Sequence, residues 1–127
     1  MWFARIVDEW LQSRPAPLVS ALVAGSRLSL RQLERKCNAL YGKSPKVLAR
    51  EARALRAASE IALNPHAGYD VVEFGFYDQA HMIREIKHFT GTTPGRIRAA
   101  TWGSAVGLAA LSDQTPSLAT VSAKYVP

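Results

Sequence analysis

A single cysteine, Cys37, stands in 127 residues. No intramolecular disulfide can form, and a lone thiol fits a reducing compartment. No apolar run reaches the roughly 18 residues of a membrane-spanning helix. The N-terminus carries Arg5, Asp8 and Glu9 where a signal peptide would be apolar. A cytoplasmic protein with no membrane partner is therefore expected. The three histidines, His66, His81 and His88, form no metal-ligand spacing with Cys37. The stretch "GTTPGR" lacks the Lys-Ser/Thr ending of a phosphate-binding loop. No nucleophile and base stand out, so neither an enzyme nor a cofactor or metal is expected.

Acidic residues are also scarce. Ten Asp and Glu face sixteen Lys and Arg, for a formal net charge of +6. The excess is concentrated: Arg27 to Arg56 holds nine Lys and Arg against two Glu. Such a field suits a polyanionic partner, although a merely soluble basic protein has the same composition. The hydrophobic share of 48% is enough for one packed domain, or two very small ones sharing a core.

Helical spacing dominates the chain. Trp2, Ile6 and Trp10, with Phe3, Val7 and Leu11 beside them, predict one apolar helix face, ended by Pro15 and Pro17. Leu18 to Ala24 is a short, largely apolar run and reads as helix or strand, with Gly25 as its stop. Ser29 opens the next helix as an N-cap. Leu30, Leu33, Cys37 and Leu40 fall on its core side, and Arg31, Glu34, Arg35 and Asn38 on the opposite side. Gly42 is suited to a left-handed C-cap, and Pro45 to the first turn of a new helix. Pro45 to Leu63 reads as one rod of roughly 27 Å. Its apolar stripe is Leu48, Ala52, Leu55 and Ala62, with Ile61 beside it. Tyr69 to Phe74 predicts a short helix with Gly75 at the following turn. Asp78 caps a further helix with core residues Met82, Ile86 and Phe89 and an outer side of Ala80, Ile83, Arg84 and Lys87. A last turn or two is expected from Pro94 to about Ala100. Beyond Thr101 no period is sustained, and loose order is expected, with one short helix near Val106 to Leu111.

The two capped helices are copies. "SLRQLERKCNALYGKSP" (29–45) returns as "DQAHMIREIKHFTGTTP" (78–94) at a constant offset of 49. Ser29 matches Asp78, Leu33 Met82, Arg35 Arg84, Gly42 Gly91 and Pro45 Pro94. A short helix, a tight turn and a capped helix make a helix-turn-helix, here twice. The expected architecture is all-α: residues 1–63 a first unit with its linker helix, 64–100 a second, and 101–127 a tail. B-DNA returns its major groove to one face about every 34 Å, so two such readers suit successive grooves.

The segments "LSLRQLERKCNALYGKSPKVLARE" and "GFYDQAHMIREIKHFTGTTP" resemble the DNA-binding domain of the AraC/XylS family of bacterial transcription regulators, over roughly residues 3–100. The resemblance implies sequence-specific binding of double-stranded DNA. It implies base reading by Arg31, Glu34 and Arg35 of the first copy and by Gln79, Ala80, His81 and Arg84 of the second. Arg pairs with guanine, Glu accepts from cytosine, Gln suits adenine and Ala packs on a thymine methyl. Phosphate contacts fall to Ser29, Lys43, Ser44, Lys46, Tyr77, Thr92 and Arg96. Structural roles stay open beside these. Glu34 and Arg35 also suit a solvated face, Gln79 a bond within its turn, and His81 partly buried packing. Arg84 also suits an ion pair with Asp78 or Glu85, and Tyr77 a cover for the second core. Cys37 reads as inert packing.

The chain departs from the family pattern before "GFYDQ". Asp70 stands where an Ile or Val is usual, and Gly68 and Tyr69 weaken the helix start, which predicts a short or shifted first helix in the second unit. An interaction module docking an acidic protein such as an RNA polymerase subunit is the rival reading, and polymerase is also a second candidate partner beside DNA. No segment has the length or strand pattern of an effector-binding domain.

Overall fold

The computed structural model describes residues 1–101, and these form six helices with no strand among them. They are α1 (Trp2–Leu11), α2 (Val19–Ser26), α3 (Leu30–Tyr41), α4 (Pro45–Leu63), α5 (Gln79–Thr90) and α6 (Pro94–Thr101). The expectations for 102–127, including the helix near Val106 to Leu111, lie outside the described residues. Two compact units divide within α4: Met1–Arg53 forms the first, and the second begins at Ala54.

In the first unit α1 packs on α2. The buried stripe of α1 is Phe3, Val7 and Trp10, not Trp2, Ile6 and Trp10. Trp2 is 53% exposed. Both sets have near-helical spacing, and an apolar residue on each flank hid the true centre of the face. Trp10 pays for its burial with a hydrogen bond: its indole N–H donates to the Leu18 carbonyl at 2.7 Å. The apolar run after it is a helix rather than a strand, with Leu22 and Ser26 buried. Gly25 does not stop it. The helix runs one residue further and ends at Arg27, which takes the left-handed conformation at φ 60°. Ser26 holds that turn, donating to the Val23 carbonyl and accepting the Leu28 N–H at 3.1 Å.

The caps of α3 are as the sequence predicts. The Ser29 hydroxyl accepts the Gln32 N–H at 3.1 Å, and the Gln32 side chain accepts the Ser29 N–H at 2.9 Å. This reciprocal box satisfies two of the amides a helix start leaves free. Gly42 closes the helix at φ 71°. Leu33 and Cys37 are fully buried, whereas Leu30 is exposed and Leu40 half-buried. Burial pushes the Cys37 thiol up to about 11, consistent with an inert packing role.

The buried face of α4 differs from the expected stripe. Leu48, Ala49 and Glu51 are buried in the first unit, and Ala54, Ala57, Ala58, Ile61 and Ala62 in the second; Ala52 and Leu55 are only half-buried. A charged residue inside the buried face, Glu51, disguised the period. It is 4% exposed and paired with Lys43 at 2.6 Å. The alanines line up with Phe76, Met82, Ile86 and Ile97 in one core, with Tyr69, Val71, Phe74 and Phe89 packed against it.

The expected helix at Tyr69–Phe74 is absent. Residues 71–75 form a hydrogen-bonded turn instead, closed by bonds from Phe74 to Asp70, Gly75 to Val72 and Phe76 to Val71. The Asp70 carboxylate accepts the Val72 N–H at 2.9 Å. An aspartate that bonds the backbone two residues on offers a turn in place of a helix. Gly75, at φ 89°, then leads into Phe76.

Candidate nucleic-acid interface

The outer face of α3 is built by its caps and its core. With Ser29 and Gly42 closing the ends and Leu33 and Cys37 turned inward, Arg31, Glu34, Arg35 and Asn38 are left exposed. At 3.6 residues per turn these four span an arc of about 100°. Among the described residues neither arginine of this face is held in an ion pair. Asn38 is partly engaged, donating to the Glu34 carbonyl at 2.8 Å. Two unpaired guanidinium groups on one rigid face offer donor forks to an outside acceptor.

The front of α5 follows the same design with different residues. The Asp78 carboxylate accepts the His81 N–H at 2.7 Å. His81 Nδ1 accepts the Tyr77 N–H at 3.1 Å. Its Nε2 lies 3.7 Å from the buried Glu85 carboxylate, and its ring meets Phe76 edge-on at 5.4 Å. His81 thus takes the place that Gln32 holds 49 residues earlier. Its ring is engaged on both nitrogens and against the core, the structural alternative to base reading.

The other second-copy candidates are free of such roles. Gln79 and Ala80 are exposed, and Gln79 makes no bond within the turn among the described residues. Arg84 is exposed and in no ion pair among them, because Glu85 faces inward. The 49-residue offset carries Arg31, Glu34, Arg35 and Asn38 onto Ala80, Ile83, Arg84 and Lys87, all exposed. Ile83 and Lys87 therefore belong to the same outward face, and neither was among the predicted base readers. The repeat itself held that signal.

The predicted phosphate contacts sort by availability. Lys46 and Arg96 are exposed, and Tyr77 is 87% exposed, so it does not cover the second core. Ser29 and Ser44 spend their hydroxyls as caps, Ser44 accepting the Val47 N–H at 3.3 Å. Thr92 is half-buried, its N–H donating to Thr90. The cap of α6 is Thr93, which accepts the Arg96 N–H at 3.2 Å. Ser44 and Thr93 are again 49 apart. Lys43 is the least available, its ammonium group being engaged by Glu51.

A short helix, a tight turn and a capped helix with an exposed, unpaired cationic face define a helix-turn-helix DNA-binding domain. The chain matches the family model described as a helix-turn-helix domain over residues 22–100, from α2 to α6. It belongs to this family, the DNA-binding domains of AraC type, whose role is transcription regulation. Neither the curated proteins nor the solved structures gave a match. No helix among the described residues is long and apolar enough to cross a membrane, and no group of three or more His, Cys, Asp or Glu there could hold a metal ion.

Proposed function

We propose that the chain reads double-stranded DNA sequence-specifically with two unequal faces, α3 and α5, in adjacent major grooves. Arg31 and Arg35, with Glu34, read base edges from α3. Gln79, Ala80 and Arg84 read from α5, with Ile83 supplying an apolar contact suited to a thymine methyl. Lys46, Tyr77 and Arg96 grip phosphates, and their contribution is common to every sequence.

One observation carries this reading: Arg31 and Arg35 are exposed, and unpaired among the described residues, on a helix capped at both ends. The inequality follows from composition. The first face carries two arginines and a glutamate, and its copy carries alanine, isoleucine and one arginine. The turn at 71–75 also replaces a full helix in front of α5.

Selection from a random duplex library, followed by affinity against salt for the winner, tests it. Two enriched half-sites about one helical turn apart support the whole reading. One half-site alone restricts α5 to phosphate gripping. Binding with no enrichment, vanishing as salt rises, removes the proposal of sequence specificity. An RNA polymerase subunit as a second partner is a separate proposal; retention of polymerase on DNA-bound protein, and its absence without DNA, tests it.

A further inference from the structure

The turn that replaces the expected helix before α5 borders an open groove of about 460 Å³, wholly within the second unit. Arg98 of α6 lines it, together with Tyr69, Gln79, His66, Pro65 and Val71. No acidic side chain is among its described lining residues. The nearby Asp70 carboxylate is committed to the Val72 N–H.

Arg98 is held in an unusual state. Its guanidinium carbon lies 5.0 Å from the centre of the Tyr69 ring. Its Nε is shut off from solvent and has no hydrogen-bond partner among the described residues. That nitrogen is closed to an added ligand, so the donors the groove can offer an anion are the two terminal nitrogens of the guanidinium, which are not among the buried, unpartnered atoms. A ring beneath a guanidinium also holds its plane, so its donor fork is presented in one orientation.

We propose that this groove binds a small organic carboxylate, the carboxylate forked on Arg98 and the apolar body lying on Tyr69, Pro65 and Val71. A planar, two-pronged donor matches a carboxylate. The volume falls within the roughly 300–1,000 Å³ of small-molecule sites. A DNA phosphodiester shares the anionic chemistry, but it has no apolar body to lie on Tyr69, Pro65 and Val71.

The test uses the full chain and no DNA, so its failure is separate from failure of the DNA-reading proposal. Backbone amide shifts are followed by NMR while cyclohexanecarboxylate, the neutral cyclohexanecarboxamide or inorganic phosphate is added. The carboxylate should shift Ala67, Tyr69 and Gln79 saturably, with the carboxamide and phosphate each weaker by about tenfold or more. Arg98→Ala should abolish the shifts, and Arg98→Lys should weaken them. If Arg98→Ala fails to fold, Arg98→Lys and the carboxylate–carboxamide pair on the unaltered chain still decide. No saturable shift, equal binding of the carboxamide, or shifts that survive in Arg98→Ala overturn the proposal. Phosphate binding as well as the carboxylate overturns it too, in favour of a seat for the DNA backbone.

Discussion

The imidazole of His81 accepts the backbone N–H of Tyr77 through Nδ1 at 3.1 Å. An accepting Nδ1 leaves the ring proton on Nε2, the nitrogen that faces the buried Glu85. Together with the Asp78 cap, this secures the first turn of α5, as Gln32 and Ser29 secure that of α3. His81→Ala should therefore cost about 1 kcal/mol of stability, the usual size of a lost cap. His81→Gln, which restores the side chain used in the first copy, should recover most of it. Urea unfolding measures both. Base preference should be the same in all three proteins; a change at one base position in a folded His81→Ala would show that the ring reads DNA after all.

Arg35 and Arg84 are matched by the repeat, exposed, and in no ion pair among the described residues. Replacing either with Ala should leave stability within about 0.5 kcal/mol, as at most surface sites. Binding should weaken by roughly 1–3 kcal/mol, and preference should relax at a single base position. Fluorescence anisotropy on the selected operator and its single-base variants separates the two effects. An equal loss on every variant would move the residue from base reading to phosphate contact.

Lys43 and Lys46 look alike in the sequence and should behave differently. Lys46 is exposed, so Lys46→Ala should weaken all duplexes alike and lower the salt slope by about one. Lys43 neutralises a glutamate that is 4% exposed. Lys43→Ala leaves that charge buried without its partner. The expected cost is about 1–3 kcal/mol of stability, less than for a fully buried pair because the lysine reaches water. Chemical denaturation distinguishes them, and a Lys43→Ala protein of unchanged stability would remove the ion pair from the account of the fold.

What could be read from the sequence was local chemistry. Ser29, Asp78, Gly42 and Gly91 cap their helices as predicted, since each acts on its own backbone neighbours. The core positions Leu33, Cys37 and Ile86 were legible for the same reason, being flanked by polar residues on both sides, and Met82 by its helical spacing from Ile86. The rest failed where tertiary structure chose between near-equal patterns. Trp2 and Phe3 are adjacent and both aromatic, and only packing decides which is buried. Glu51 broke the apolar period of α4 because its partner, Lys43, is eight residues away. The turn at Asp70 was only half legible: the sequence showed a weak helix start, not the Asx bond that replaces the helix. The base-reading set followed composition, naming the polar His81 and not Ile83, although the constant offset of 49 places Ile83 opposite Glu34.

Cys37 provides a pH dependence of known sign. Its thiol is pushed from an ordinary 9.0 to about 11 by burial, so the folded chain holds its proton after the unfolded chain has lost it. Stability from this group is complete below about pH 9 and is lost as pH rises towards 11. Tyr41 acts in the same direction, raised by burial first, then by Asp8 and Cys37. The thiol's share is therefore the difference between the unaltered chain and Cys37→Ala. Stability of the variant should fall less steeply over this range, although the lost sulfur makes it less stable at neutral pH. Equal slopes would mean that the thiolate forms as readily in the folded chain as in the unfolded one.

Arg27 ends α2 at φ 60° and ψ 16°, a left-handed position with no glycine to relieve it. For an L-residue this region costs roughly 1–2 kcal/mol. Glycine removes that strain but adds about 0.5–1 kcal/mol of backbone freedom to the unfolded chain. The relief is the larger of the two, so Arg27→Gly should raise stability by about 0.5–1 kcal/mol, a thermal midpoint higher by a few degrees. The side chain is exposed, so packing is not disturbed. Its charge is the first of the basic segment that runs from Arg27 to Arg56, and its loss should weaken binding to all duplexes alike. A more stable protein with a lower affinity and an unchanged motif would show that this turn retains an arginine for DNA rather than for the fold. A less stable one would mean that the arginine side chain holds the turn by contacts that outweigh its backbone strain.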